Sequence, residues 1–161
     1  MDTKNMEDIY GKLANKINEM IPENWTKVLL YAQISTEVSV VYFYYYPENN
    51  NSPIYSLDIP RKFGINKATF NAVKYKIIEL LKMLQEEFGK NKQPLWTNLT
   101  FILENTGEFK IDYNYDDMIN SNNYDQRIIW EYVYLGIKPS SDRLIDLEIL
   151  GKYLNSIKKI D

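Results

Sequence analysis

The sequence predicts an α+β fold in which an antiparallel sheet of about five strands is covered on one face by helices. Three segments repeat apolar residues at helical spacing, and short segments rich in β-branched and aromatic residues lie between them. A stretch in the second half of the chain has the alternation and the glycine of a β-hairpin. The predicted order is α-β-β-β-α-β-β-α, and a length of 161 residues suits a single domain over 1–161.

The first two predicted helices have clear boundaries. Apolar residues recur at helical spacing over 3–21, and Pro22 ends this helix because its ring disfavours a helical residue before it. The second helix begins after Asn66, whose side chain can cap the free N–H groups, and stops at Gly89. Its long apolar stripe makes it the expected main cover of the sheet.

Three strands are predicted between these helices, over 26–35, 37–46 and 54–59. Tyrosine and phenylalanine fill 42–46, so aromatic rings project from both faces of the second strand. One face is expected to pack under a helix. The rings of the other face suit either cross-strand aromatic packing or an open recognition surface, and the pattern leaves both interpretations open.

Residues 94–117 form the predicted hairpin of strands four and five. A three-residue loop, Asn105-Thr106-Gly107, places all the apolar residues on one side. The facing pairs are then Leu103 with Phe109, Phe101 with Ile111 and Leu99 with Tyr113. A two-residue loop would shift the register by one residue and turn apolar side chains toward the polar side. Gly107 stands at the left-handed position of the loop, where glycine costs least.

The other side of the hairpin is polar and acidic. It carries Trp96, Asn98, Thr100, Ile102, Glu104, Glu108, Lys110, Asp112, Asn114 and Asp116. Glu104 and Glu108 face each other beside the loop, although like charges opposed across two strands are mildly destabilising. With Asp112, Asp116 and Asp117 they form a carboxylate cluster that suits a hard metal ion, a solvated surface or a docking surface. No EF-hand spacing or phosphate loop accompanies the cluster, which disfavours a metal site. Of the other two interpretations, a docking surface is favoured over a solvated one.

Residues 118–139 give no decisive pattern. The segment 125–135 suits either a short helix or an extended edge, and 136–139 reads as a break. Ser140 or Ser141 is then expected to cap a final helix that has Asp142 in its first turn.

Composition excludes several classes of enzyme. The chain contains no His and no Cys, so it cannot supply alone a Ser-His-Asp triad, a cysteine nucleophile or a zinc site of thiolates and imidazoles. No apolar run approaches the ~20 residues that span a bilayer. No secretory signal is visible either, so a cytoplasmic location is expected.

The net charge of −3 hides an uneven distribution. Residues 104–148 hold ten acidic and four basic residues, a net charge of −6, whereas the remainder of the chain carries +3. Such segregation favours a basic partner for the C-terminal half, because opposite charges accelerate encounter. Direct binding of nucleic acid is disfavoured, and mimicry of nucleic acid is the more natural use of acidic residues on an open sheet.

A succession of landmarks carries a family resemblance. The landmarks are Met20-Ile21-Pro22 with Trp25, a tyrosine-rich second strand, Asp58-Ile59-Pro60, Pro94 with Trp96-Thr97, Gly107-Glu108-Phe109-Lys110-Ile111, Tyr113-x-Tyr115-Asp116, Trp130, and Leu135-Gly136-Ile137-x-Pro139. In this order and spacing the chain resembles the YezG-like immunity proteins, the antitoxins that bacteria with type VII secretion pair with LXG-type nuclease toxins. Leu95 departs from the pattern, in which Pro and Trp are adjacent.

The resemblance implies a cytoplasmic protein, with no enzymatic activity and no cofactor, that binds the C-terminal nuclease domain of a cognate toxin. No direct contact with nucleic acid or membrane is expected, and the acidic half suits a basic nuclease surface. From the hairpin register and the weight of aromatic residues in interfaces, the residues predicted to bind toxin are Glu104, Glu108, Asp112, Asp116, Asp117, Trp96, Tyr124 and Asp125. Two alternatives stay open: a metal-dependent hydrolase that uses the same carboxylates, and a generic protein-interaction domain.

Overall fold

A computed structural model describes residues 3–158. The chain divides into two compact units, Met1–Asp116 and Asp117–Asp161. Among the described residues, the whole sheet lies in the first unit and a pair of helices makes up the second. The single-domain organisation expected for 1–161 stays a prediction.

The predicted fold class is confirmed, because the described residues form five helices and a five-stranded antiparallel sheet. The elements of the first unit are α1 (Lys4–Met20), β1 (Trp25–Ile34), β2 (Ser39–Pro47), β3 (Ile54–Tyr55), α2 (Ile59–Phe63), α3 (Lys67–Lys90), β4 (Asn98–Glu104) and β5 (Phe109–Asn114). Those of the second unit are α4 (Asn123–Leu135) and α5 (Leu144–Lys158). The strand order is β3-β2-β1-β4-β5. The predicted order of elements holds approximately, with α2 and α4 in addition.

Helices α1 and α3 both begin at side-chain caps. The Thr3 hydroxyl accepts a hydrogen bond from the Met6 N–H at 3.1 Å. The Asn66 side chain accepts from the N–H groups of Ala68 and Thr69 at 2.8 and 3.2 Å, as predicted for this residue. Each cap satisfies N–H groups that have no partner inside the helix.

Helix α3 continues one residue beyond its predicted stop. Gly89 lies inside the last turn, and the left-handed residue that follows the helix is Lys92, with φ of 56°. The Asn91 N–H donates to the Glu87 carbonyl and the Lys92 N–H to the Gly89 carbonyl, both at 3.1 Å. These two hydrogen bonds close the end of the helix. The prediction was wrong because it assumed that the glycine itself would reverse the chain.

Strand β1 is the centre of the sheet and of the core. It pairs with β2 on one side and β4 on the other, and seven of its ten residues are buried. Its Val28, Leu30 and Ala32 belong to one apolar cluster with Phe43 of β2, Phe101 of β4 and the buried stripes of α1 and α3. Burial of this apolar area holds the two long helices on one face of the sheet.

The third strand is much shorter than the predicted 54–59. Two residues pair with β2, and the chain then turns through a 3₁₀ segment at Ser56–Asp58 into α2. The Ser56 hydroxyl accepts a hydrogen bond from the Phe43 N–H at 3.0 Å, in place of a further main-chain partner for β2. Pro60 has no N–H for a strand ladder and suits the first turn of a helix, which explains the early end of the strand.

The hairpin of β4 and β5 has the predicted register. The observed pairs include Leu103 with Phe109, Phe101 with Ile111 and Leu99 with Tyr113. Gly107 has φ of 92° and its N–H donates to the Glu104 carbonyl at 3.0 Å. The Glu104 N–H donates to the Glu108 carbonyl at 2.8 Å, so the ladder continues up to the loop. The three-residue loop therefore fixes which side chains face outward.

The segment without a decisive pattern contains helix α4. The Asn122 side chain caps it by accepting hydrogen bonds from the Tyr124 and Asp125 N–H groups at 2.9 and 3.2 Å. Gly136, with φ of 68°, ends it in the left-handed conformation typical of a helix C-terminus.

Helix α5 begins at Leu144, later than the caps predicted at Ser140 or Ser141. The Ser140 hydroxyl donates to the Asp142 carboxylate, and the Arg143 N–H donates to the Ser140 carbonyl at 3.0 Å. These bonds form a separate turn ahead of the helix. The prediction was wrong because a serine hydroxyl can serve a local turn as well as a helix.

Candidate protein-docking surface

The two glutamates beside the hairpin loop face each other as the register predicts. Glu108 is exposed, and the Glu104 side chain is 44% exposed. The Lys27 Nζ lies 3.9 Å from a Glu104 oxygen, a long and solvated ion pair that contributes little to stability. Both carboxylates are therefore held near the loop by the backbone and not by strong side-chain pairs.

The aspartates farther along the chain lie in β5 and in the turns after it. Asp112 is half-buried, with the Lys110 Nζ 3.5 Å from its carboxylate. Asp116 is exposed, and its N–H donates to the Asn114 side chain at 2.8 Å, which leaves its carboxylate outside the turn. Asp117 belongs to the second unit, where its carboxylate accepts from the Ile119 N–H at 3.0 Å.

Trp96 does not lie on the polar side of the hairpin, and that placement was wrong. Its side chain is fully buried in the core, with its ring centroid 6.1 Å from that of Tyr113. The Gln85 side chain holds this segment by donating to the Trp96 carbonyl at 2.7 Å. Because β4 begins only at Asn98, the two-residue alternation of the strand does not extend back to Trp96.

The second face of the sheet is aromatic but is not open. Tyr31, Tyr42 and Tyr44 are all buried. Tyr31 stacks on Tyr42 at 5.2 Å and Tyr44 on Tyr55 at 5.0 Å, between ring centroids. Burial raises the pKa of Tyr31 to about 12. Of the two interpretations left open for 42–46, the structure shows cross-strand aromatic packing, and the expectation of an open face was wrong.

Tyr124, in the second unit, uses its hydroxyl within that unit. The hydroxyl donates to the Asp146 carboxylate at 2.6 Å and accepts from Arg143 at 3.2 Å, and Arg143 Nε donates to the other Asp146 oxygen at 2.9 Å. The hydrogen bond from Tyr124, with that from Arg143, holds the pKa of Asp146 below its ordinary value. Tyr124 is still 47% exposed, so its ring remains accessible. Asp125 is half-buried in the first turn of α4.

A cleft at the start of β1 contains two carboxylates that the sequence did not single out. It has a volume of about 480 Å³, and an adjoining cleft of about 300 Å³ shares Glu23, Asn24 and Glu48 with it. The remaining lining residues are Pro47, Asn49, Asn50, Ile54, Lys62 and Phe63 in the first cleft, and Asn18, Trp25 and Asn105 in the second. Most of the residues that line the two clefts thus carry carboxylate or amide side chains.

A buried phenol fixes one of these carboxylates. Tyr45 is fully buried, and its hydroxyl donates to Glu23 Oε2 at 2.6 Å. Burial and this hydrogen bond both raise the pKa of Tyr45, so the phenol remains a donor at neutral pH. Within residues 3–158, neither Glu23 nor Glu48 has a cationic side chain within ion-pair distance.

The cleft lies at the same end of the sheet as the hairpin loop. The Glu48 N–H donates to the Asn24 carbonyl, and the Asn105 N–H donates to the Thr26 carbonyl, both at 3.0 Å. This end of the sheet, named the acidic end below, carries Glu23, Glu48, Glu104 and Glu108. The order of the strands in the sheet brings these four residues to one end, although they are far apart in the sequence. No local sequence pattern could therefore have placed Glu23 and Glu48 beside the hairpin loop.

The described part of the chain contains neither a metal-binding cluster nor a membrane-spanning helix. No group of three or more acidic side chains there is arranged to hold a metal ion. Within residues 3–158, no helix has the length and apolar character needed to cross a membrane. The hairpin carboxylates therefore do not converge on a metal site.

Comparison with known proteins identifies the family. A family profile described as immunity protein YezG-like matches residues 6–147 of this chain. The chain belongs to the YezG-like immunity protein family. The match includes the sheet and the acidic end. In the second unit it includes α4 and the first four residues of α5. The resemblance inferred from the sequence landmarks is thus confirmed.

Individual relatives support this family assignment along nearly the whole chain. The immunity protein YezG of Bacillus spizizenii is 41% identical over 148 residues, which cover 91% of this chain and 92% of the relative. The immunity protein YezG of Bacillus subtilis is 39% identical over 151 residues, which cover 92% and 99%. The type VII secretion system protein EsaG of Staphylococcus aureus is 26% identical over 157 residues, which cover 96% of each chain.

Proposed function

We propose that this protein is an antitoxin that binds the C-terminal nuclease domain of a cognate secreted toxin in the cytoplasm of the producing cell. It inhibits the nuclease by occlusion and catalyses no reaction itself. Membership of an immunity protein family supports a toxin as the partner. The name of the Staphylococcus aureus relative, a type VII secretion system protein, supports a partner that is secreted.

The observation that carries the nuclease part of the proposal is the acidic end. Four glutamates lie at one end of the sheet, and the two that line the cleft, Glu23 and Glu48, make no ion pair within residues 3–158, although Lys62 also lines it. A nuclease must present basic side chains to the DNA backbone. The glutamates of the acidic end can pair with those basic side chains and thereby prevent them from binding DNA phosphates.

The hairpin aspartates extend the proposed contact surface. Asp116 is exposed and Asp112 is partly so, and both lie on or beside β5, which follows directly from Glu108. In the second unit, Asp117, Tyr124 and Asp125 stay in the proposed contact set. Trp96 is withdrawn from it, because a fully buried side chain cannot touch a partner.

Co-expression with the neighbouring toxin gene is the direct test of this function. The wild-type chain is expected to co-purify with the nuclease domain and to abolish its cleavage of DNA. A variant with Glu104→Lys and Glu108→Lys is expected to lose at least tenfold in affinity, since each reversal replaces an attraction by a repulsion. The matched control reverses two exposed glutamates of α3, Glu79→Lys and Glu86→Lys, and is expected to inhibit normally.

The outcomes separate the function from its assigned surface. If the wild-type chain neither binds nor inhibits the nuclease, the antitoxin proposal is wrong. If it inhibits and both double variants inhibit equally well, the function stands but the acidic end is not the contact surface. Circular dichroism of each variant checks that the sheet is retained.

A further inference from the structure

Strand β5 forms one edge of the sheet. It is last in the strand order and pairs with β4 on its inner side. An edge strand presents a row of main-chain N–H and C=O groups to any strand that can lie beside it. β5 spans six residues with no proline and no register shift against β4, so two of the devices that prevent such pairing are absent. The charged side chains that it does carry are those of Lys110 and Asp112.

The hydrogen bonds of the sheet fix which groups of β5 point outward. In an antiparallel pair, alternate residues direct their main-chain groups toward the partner strand. The Glu104 N–H donates to the Glu108 carbonyl, so the main-chain groups of Lys110 and Asp112 also point to β4. Those of Phe109 and Ile111 then point to the outer edge of the sheet.

The side-chain charges of β5 make this edge complementary to itself in one register. When two copies pair antiparallel about Ile111, Lys110 of each copy stands opposite Asp112 of the other. A pairing about Lys110 would instead place Lys110 opposite itself, and a pairing about Asp112 would place Asp112 opposite itself. All three registers match the outward main-chain groups, but only the first opposes unlike charges, which stabilise cross-strand pairs. A pairing about Phe109 would also oppose Lys110 to Glu108, but it would leave every β5 residue except Phe109 without a partner in the other β5.

We propose that this protein forms a two-fold symmetric dimer in which the β5 strands of two copies pair antiparallel about Ile111. The pairing joins the two five-stranded sheets edge to edge. It also places Phe109, whose side chain is 45% exposed, opposite Tyr113 of the second copy, and aromatic cross-strand pairs add to sheet stability. A second copy is the occupant that the charges specify, because its strand necessarily carries aspartate where Lys110 requires it.

Charge exchange provides a sharp test of this register. In sedimentation velocity across a concentration series, the wild-type chain is expected to show a monomer–dimer equilibrium. Lys110→Glu alone and Asp112→Lys alone should each weaken the dimer by about tenfold or more, since each change creates two like-charge pairs across the symmetric interface. The combined variant, Lys110→Glu with Asp112→Lys, restores two unlike pairs and should return to near the wild-type affinity. The control Lys76→Glu, on the exposed side of α3, should dimerise as wild type.

A main-chain block tests the edge itself. In Ile111→Pro the lost N–H points away from β4, so the hairpin should persist while the second strand is excluded. This variant is expected to be monomeric with an unchanged circular dichroism spectrum. A wild-type chain that is monomeric up to concentrations on the order of 1 mM, or a combined variant that fails to regain the dimer lost in both single variants, would overturn the proposal. So would a monomeric wild type whose Ile111→Pro variant loses toxin binding, because the edge would then accept a strand of the toxin.

Discussion

Replacement of Gly107 by alanine isolates the conformational cost of the hairpin loop. Gly107 has φ of 92°, and a Cβ built on it would meet no atom within 4 Å. The substitution therefore adds no steric clash with the rest of the fold, and its cost is that of a left-handed backbone for an L-residue. That cost is about 1–2 kcal/mol in the free energy of unfolding.

The same substitution at Gly11 is a matched control with the opposite sign. Gly11 is exposed within α1, and a Cβ there also meets nothing within 4 Å. Because its backbone is helical, alanine should stabilise the protein by about 0.5–1 kcal/mol. Urea denaturation followed by circular dichroism measures both changes as shifts of the midpoint at constant slope. The reasoning about the loop is refuted if Gly107→Ala leaves the midpoint unchanged or raises it as Gly11→Ala does.

Three further predictions concern the core, a helix cap and a titrating cluster. Trp96→Ala should lower the free energy of unfolding by about 3–5 kcal/mol, because it empties a buried position. Leu95→Ala, at the neighbouring side chain that is 54% exposed, should lower it by less than about 1 kcal/mol. Equal losses in urea denaturation would contradict the burial of Trp96. Asn66→Ala should cost about 1 kcal/mol by removing the α3 cap, and Asn66→Ser should recover most of it. Because the folded-state pKa of Asp146 is depressed, its stabilising contribution is present above an ordinary pKa of about 4 and is lost as the pH falls below it. Asp146→Asn should therefore flatten the fall in stability between neutral pH and the acidic range, and an unchanged acid profile would show that the cluster does not contribute.

The parts of the fold that the sequence predicted are those governed by local rules. The hairpin register followed from two-residue alternation and from Gly107, and the start of α3 followed from Asn66. Both depend on residues that are neighbours in the chain, so no tertiary contact had to be known. The amphipathic stripe of α1 is of the same kind, because its burial was implied by its spacing alone.

The parts that the sequence could not predict depend on contacts between distant segments. Trp96 joins the core because the chain before β4 has not yet entered the strand alternation. Glu23 and Glu48 lie at the same end of the sheet as the hairpin loop because β1 pairs with both β2 and β4. The α4 segment was undecided because the apolar residues of 125–135 fit two periods, and the Asn122 side chain that caps the helix lies ahead of them.

The association rate of the toxin nuclease domain with a hairpin variant tests the central claim most directly. Asp112→Lys with Asp116→Lys reverses two charges on and beside β5, and the control pair Glu79→Lys with Glu86→Lys makes the same change in net charge on α3. All proteins are measured at concentrations at which they are monomeric, because Asp112→Lys also weakens the proposed β5 dimer. If the acidic side chains of the hairpin steer the nuclease, the hairpin variant should associate about 10- to 100-fold more slowly at low salt. Its rate should also depend less on ionic strength, while the control keeps nearly the wild-type rate and salt dependence. An unchanged association rate in a folded hairpin variant, or equal slowing in both variants, would contradict the claim that this surface is where the toxin binds.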